Sequence, residues 1–202
     1  MVNPPGFTIF QPTESEIVGH PVAERRLSQL NNVFADPKAF AKTLTAQDNP
    51  LVYTVSSVAP AEGSGQLHYG LGKIMPGRVG QEYFMTRGHY HEWREAAEIY
   101  LGLGGTGYML LETENRDDGQ LIPLLPNSIV YVPGFTAHRT INTGDTPLTY
   151  LGIYPADAGH DYGALAQSNF RHVVVEVNGA PTLLRRTDYL AQLSTHDEAT
   201  AL

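Results

Sequence analysis

No cysteine occurs among the 202 residues. That excludes a disulfide framework and any thiolate metal site. Basic residues are also scarce: 13 Lys and Arg stand against 21 Asp and Glu, a net charge of −8. Non-specific nucleic-acid binding needs a basic surface, so nucleic acid is not an expected partner. A small anionic substrate remains compatible, because local basic groups and aligned N–H donors can hold a phosphate on an acidic protein. No apolar run approaches the roughly 20 residues that span a bilayer. Residues 1–10 lack a basic region followed by an apolar one, so they do not read as a signal peptide. The expectation is a cytoplasmic protein with no membrane partner.

Glycine (20) and proline (14) are abundant, as a fold with many turns requires. Short β-rich runs at 51–57, 67–75, 98–101, 107–112, 121–125, 128–132, 138–142, 148–154, 172–177 and 182–185 are separated by turn signals. These include Pro76-Gly77, Gly104-Gly105, Asp118-Gly119, Pro126-Asn127 and Asn178-Gly179. The pattern predicts an all-β antiparallel sandwich or barrel over residues 51–186. Asn178-Gly179 predicts a two-residue hairpin. Residues 1–50 read as an N-terminal arm with helical pieces: Asp36-Pro37 is an N-cap followed by proline at the first helical position. Residues 187–202 read as a short helix and tail, and the whole as one domain.

Four residues carry chemistry. In an extended Gly88-His89-Tyr90-His91 run the two imidazoles point the same way, because strand residues two apart share a face. Glu98 follows after six residues, and Gly105 after six more. A second cluster, Pro133-Gly134-Phe135-Thr136-Ala137-His138, supplies a third imidazole. Three nitrogens and one carboxylate suit a first-row divalent metal with positions left open. The donor set accepts Fe2+, Mn2+, Zn2+, Ni2+ or Co2+, and affinity order alone does not choose among them. His20, His68, His172 and His196 have no such company and read as ordinary packing or surface histidines. Tyr100, two residues after Glu98 on the same strand, would share its inward face.

The two motifs resemble those of the cupin superfamily, whose jelly-roll barrel carries a metal. His89, His91, Glu98, Gly105, Pro133, His138 and Asn142 fall in place, while Tyr83, Asn127 and Phe135 stand where that pattern has glycines. A narrower resemblance is to the cupin-type glucose-6-phosphate isomerases. It rests on the run from Pro76 to His91, on Ala97-Glu98-Ile99-Tyr100, on Ala137-His138-Arg139-Thr140, and on Tyr154-Pro155-Ala156-Asp157-Ala158-Gly159-His160-Asp161-Tyr162-Gly163. The long gap before Glu98 is that family's own.

The resemblance implies a metal-dependent aldose–ketose isomerase interconverting glucose 6-phosphate and fructose 6-phosphate, within glycolysis or gluconeogenesis. It implies one divalent metal per subunit on His89, His91, Glu98 and His138, with iron favoured. It implies a homodimer as well. Catalysis falls to Glu98 and His160: Glu98 as ligand first and base second, since a cation favours the ionised carboxylate, and His160 in the proton transfer of ring opening. Both an enediol route and a direct hydride shift need negative charge stabilised at the O1/O2 edge. The phosphate and sugar fall to Tyr53, Thr86, Gly88, Tyr100, Tyr154 and Tyr162. Where relatives use a threonine on the second strand this chain has Gly72, so phosphate affinity is either lower here or partly supplied by Lys73 beside it, which would face the gap only through a bulge. Two other readings of the same ligand set are an oxygenase or decarboxylase, and a non-catalytic sugar-phosphate-binding cupin.

Overall fold

The computed structural model describes residues 6–11 and 16–200. Residues 1–5, 12–15 and 201–202 of the expected arm and tail lie outside the described residues, as does the side chain of His196. The β-rich runs become strands, all paired antiparallel. β1 (Phe10–Gln11) and β2 (Glu16–Ile17) make a small ribbon, and β3 (Val22–Arg26) leads into a 3-10 turn (Leu27–Leu30) and α1 (Pro37–Ala46). The barrel strands are β4 (Leu51–Val58), β5 (Leu67–Ile74), β6 (Arg78–Val79), β7 (Glu82–Tyr83), β8 (Glu98–Gly104), β9 (Gly107–Thr113), β10 (Gln120–Leu124), β11 (Ile129–Val132), β12 (Thr136–Asn142) and β13 (Leu148–Pro155). After α2 (Gly163–Ser168) come the hairpin β14 (His172–Val177) and β15 (Ala180–Arg185), then α3 (Arg186–Thr200).

One sheet runs β11-β8-β13-β5-β4-β3 and a second runs β10-β9-β12. The segment after β7 lies beside β12 through bridges at Met85–Ile141 and His89–His138. The two sheets face each other over a core that takes Val52 and Ile74 from the first and Met109, Leu110, Leu124 and Ile141 from the second. A third sheet, β15-β14-β7-β6, packs with α3 through Val173, Val175 and Tyr189. The fold is the all-β jelly-roll barrel that the cupin resemblance implies.

The arm carries the expected helical pieces, with α1 starting at Pro37 behind the Asp36 cap, and it also contains a strand that was not expected. It adds β3 to the edge of the large sheet, paired with β4 from Val22–Ser56 to Arg26–Leu51. All five β3 residues are exposed, so no periodic burial marks the strand in the sequence; the backbone ladder with β4 is its main attachment. The C-terminal run is a continuous helix rather than a short one, anchored by buried Tyr189. Asn178 and Gly179 both take positive φ (52° and 80°), the backbone that a two-residue type I′ hairpin needs.

Asp36 closes the N-terminus of α1. Its Oδ1 accepts from the Lys38 and Ala39 N–H groups at 2.9 Å each, and Pro37 follows at the first helical position. Asp36→Ala should lower folding stability by about 1 kcal/mol. Urea denaturation of the two proteins measures this, and an unchanged midpoint would show that the cap contributes nothing.

Candidate active site

The positions of the histidines follow from one backbone bridge. His89 N–H donates to His138 O at 3.2 Å, and His138 N–H donates to His89 O at 3.1 Å. Such a mutually bonded antiparallel pair directs both side chains to one face. The His89 and His138 rings lie 4.4 Å apart, and His91, two residues on, brings its ring to 5.3 Å from His138. Glu98 enters from the opposite sheet as the first residue of β8. Its Oε2 lies 3.3 Å from His91 Nε2 and 3.0 Å from His138 Nε2. Room for the carboxylate comes from Gly152 on β13, where a Cβ would stand 2.8 Å from Glu98 Oε1.

Two of the imidazoles are oriented from behind. His91 Nδ1 meets the Ala96 carbonyl at 3.0 Å and His138 Nδ1 meets the Thr136 carbonyl at 3.2 Å. A ring nitrogen facing a carbonyl must carry the proton, so each ring offers the Nε2 lone pair to the centre. The buried Nε2 atoms of His89 and His138 have no hydrogen-bond partner, the second because its approach to Glu98 is out of line for one. Orphaned buried nitrogens are costly. A divalent cation would satisfy both, and the four ligand atoms lie within 4.8 Å of one another. The residues fit a metal.

The charges agree. Burial holds the His89 pKa well below the usual histidine range, and the His138, His160 and His91 rings add to the effect. Burial opposes protonation of His91, but the Glu98 carboxylate and the Ala96 carbonyl outweigh it and raise its pKa. Burial would push the Glu98 carboxyl up; the His138 and His91 imidazoles outweigh that and hold it at about 2.

The cluster lies at the wall of a cavity of about 580 Å³. Tyr53, Thr86, Gly88, Tyr100, Tyr154, His160 and Tyr162 all line it, together with Glu98, His89 and His138. His91 is buried behind them. The His160 ring sits 4.5 Å from His89 and 5.5 Å from Tyr154, and it stacks on Tyr162 at 6.0 Å and 11°. Burial raises the Tyr100 phenol well above its usual pKa, with the Glu98 charge adding to it, so Tyr100 stays protonated beside the carboxylate. Gly88 has φ +77° and abuts the Phe170 ring; a Cβ would fall 2.6 Å from Phe170, so no other residue fits.

Lys73 does not join this wall. β5 pairs with β4 and β13 without a register shift, so no bulge interrupts its alternation and Lys73 faces away from Gly72. The idea that Lys73 replaces a lost phosphate ligand fails on that geometry.

Several residues at the site were not singled out by the sequence. Arg94 donates to Asp161 Oδ2 at 2.6 Å, to Glu114 Oε1 at 3.1 Å and to the His91 carbonyl, while its guanidinium covers the Tyr90 ring at 4.8 Å. It ties the histidine segment to the loop that carries His160. Arg25 and Arg87 bring positive charge to the cavity wall. Arg87 lies between two named residues, but Arg25 stands on the edge strand that periodicity did not reveal. Tyr150 lines the cavity four residues before Tyr154 and on the same face, a signal that strand alternation would have given.

The sequence matches the family described as glucose-6-phosphate isomerase (GPI) over residues 24–192. Glucose-6-phosphate isomerase of Pyrococcus abyssi is 45% identical over 155 residues, covering 77% of this chain and 81% of that one. The Thermococcus litoralis enzyme of the same name is 46% identical, covering 77% and 80%. A bacterial one, from Sinorhizobium medicae, is 36% identical, covering 77% and 72%. A solved oxalate oxidase overlaps 56% of each chain at 14% identity and a TM-score of 0.46, too loosely to bear on the chemistry. With that extent of match and identity, the chain belongs to the glucose-6-phosphate isomerase family.

Proposed function

We propose that this chain is a metal-dependent glucose-6-phosphate isomerase, interconverting glucose 6-phosphate and fructose 6-phosphate. The observation that carries the metal is the convergence of four ligand atoms within 4.8 Å at a cavity wall. A divalent cation held by His89, His91, Glu98 and His138 would polarise the sugar's O1/O2 edge and stabilise negative charge there. Iron remains the favoured ion, with Mn2+, Zn2+, Ni2+ and Co2+ accepted by the same donors.

The side chains divide the remaining work. Glu98, held ionised at about 2, is a good ligand and a weak base, which supports its ligand role over its base role. His160 lies beside the cluster and between Tyr154 and Tyr162, which supports a role in moving a proton as the sugar ring opens. Thr86 accepts the Thr140 N–H at 3.1 Å through its hydroxyl oxygen, which leaves its own proton free for a phosphate oxygen. Tyr53 reaches the main-chain N–H of Arg87. Gly88 lets the backbone approach the substrate closely.

The homodimer and the cytoplasmic location belong to the same proposal. Ile99, Ile129 and Tyr131 leave the outer face of the large sheet apolar and exposed, which suits burial against a second copy.

Three measurements test these readings. Fructose 6-phosphate supplied to a coupled assay should yield glucose 6-phosphate; chelation should remove the activity and divalent metal should restore it. Activity that survives complete metal removal would refute the metal dependence. Glu98→Ala should abolish turnover, and a near-normal rate with metal bound would rule out its assigned role. Light scattering should return twice the mass of the chain, and a monomer at assay concentration would remove the dimer.

A further inference from the structure

Gly72 and Tyr150 stand directly opposite each other in the pairing of β5 with β13. A Cβ on Gly72 would lie 2.3 Å from Tyr150 Cζ and 2.5 Å from its hydroxyl oxygen. The backbone of Gly72 is not in the left-handed region, so the chain path does not demand glycine there. The phenol does. Its tip lies across the bare strand, in space that any other residue would fill. Opposed residues of an antiparallel pair share a face, so this tip faces the cavity that Gly72 and Tyr150 both line.

The location of that tip is informative. The Tyr150 ring is 5.3 Å from the Tyr100 ring, and the Tyr100 ring is 5.9 Å from His138. Tyr150 therefore lies one ring farther from the four-ligand cluster than Tyr100. With C1 and C2 of a sugar at the cluster, the far end of the chain extends towards Tyr150. The Tyr150 hydroxyl has the Thr140 side chain beside it and Tyr53 nearby. The Thr140 main-chain N–H donates to the Thr86 hydroxyl oxygen, and Thr86 lines the same cavity. Arg25 and Arg87 line the cavity too. Neutral hydroxyl donors backed by two guanidinium groups suit a phosphate dianion.

We propose that Tyr150, seated in the recess left by Gly72, is a phosphate-binding residue of this site and donates its hydroxyl to the sugar phosphate. The assignment rests on the isomerase reading for the orientation of the sugar. Burial keeps the phenol protonated far above neutrality, so it can donate throughout the working range. Packing alone would be served equally by phenylalanine, since only the hydroxyl distinguishes the two.

Tyr150→Phe isolates that hydroxyl. Calorimetry should compare metal-loaded wild type and variant with three probes: glucitol 6-phosphate, an open-chain sugar phosphate that cannot isomerise; glucitol, which lacks the phosphate; and inorganic phosphate. Turnover of fructose 6-phosphate is followed in parallel. The variant should bind glucitol 6-phosphate and inorganic phosphate about 10-fold or more weakly, with glucitol affinity unchanged. KM should rise by the same factor while kcat stays near the wild-type value. Gly72→Ala, which drives the phenol out of its recess, should weaken the two phosphate probes in the same selective way. Affinity for glucitol 6-phosphate within about twofold of wild type in Tyr150→Phe, or equal loss for glucitol and its phosphate, would overturn the assignment and leave Tyr150 a packing residue. The underlying reading fails differently: wild type would then bind glucitol 6-phosphate without isomerising fructose 6-phosphate.

Discussion

The pair of backbone hydrogen bonds between His89 and His138 is the constraint on which the site depends. It places an irregular segment in fixed register with β12, and the register decides which side chains face inward. A slip of one residue would turn both imidazoles to the wrong face. Everything else in the cluster is referred to this bridge. His91 follows by alternation, Glu98 is delivered from the facing sheet, and Gly152 leaves the gap that the carboxylate occupies.

Electrostatics complete what register begins. A carboxylate among imidazoles, all largely withdrawn from water, forms a site in which each group's charge depends on its neighbours. His89 is held neutral while Glu98 is held ionised. That combination of lone pairs and negative charge is what a divalent cation needs. The acidic protein nevertheless lines its cavity with Arg25 and Arg87, two charges opposite in sign to its net charge.

Much of this was legible in the chain. His89-Tyr90-His91 and Glu98 through Tyr100 report their inward faces by period-two alternation, and Asp36-Pro37 and Asn178-Gly179 report a cap and a turn through local chemistry. The β3 strand was not legible, because Val22–Arg26 buries none of its five residues and so shows no period. Arg25 was lost with it. Arg94 was missed for another reason: its partners Glu114 and Asp161 are distant in sequence, and only the fold brings them together. Tyr150 was within reach of alternation from Tyr154, but its relation to Gly72 is a cross-strand fact that no single stretch contains.

Arg94 couples two parts of the site that the chain order keeps apart. One guanidinium joins the histidine segment, through the His91 carbonyl, to the Asp161 carboxylate next to His160. A cavity-lining side chain such as His160 on an untethered loop would have to be immobilised at each encounter with a ligand, at an entropic cost to every binding event. Here that ordering is completed when the protein folds. The His160 loop and the histidine segment therefore meet a substrate as one preorganised surface.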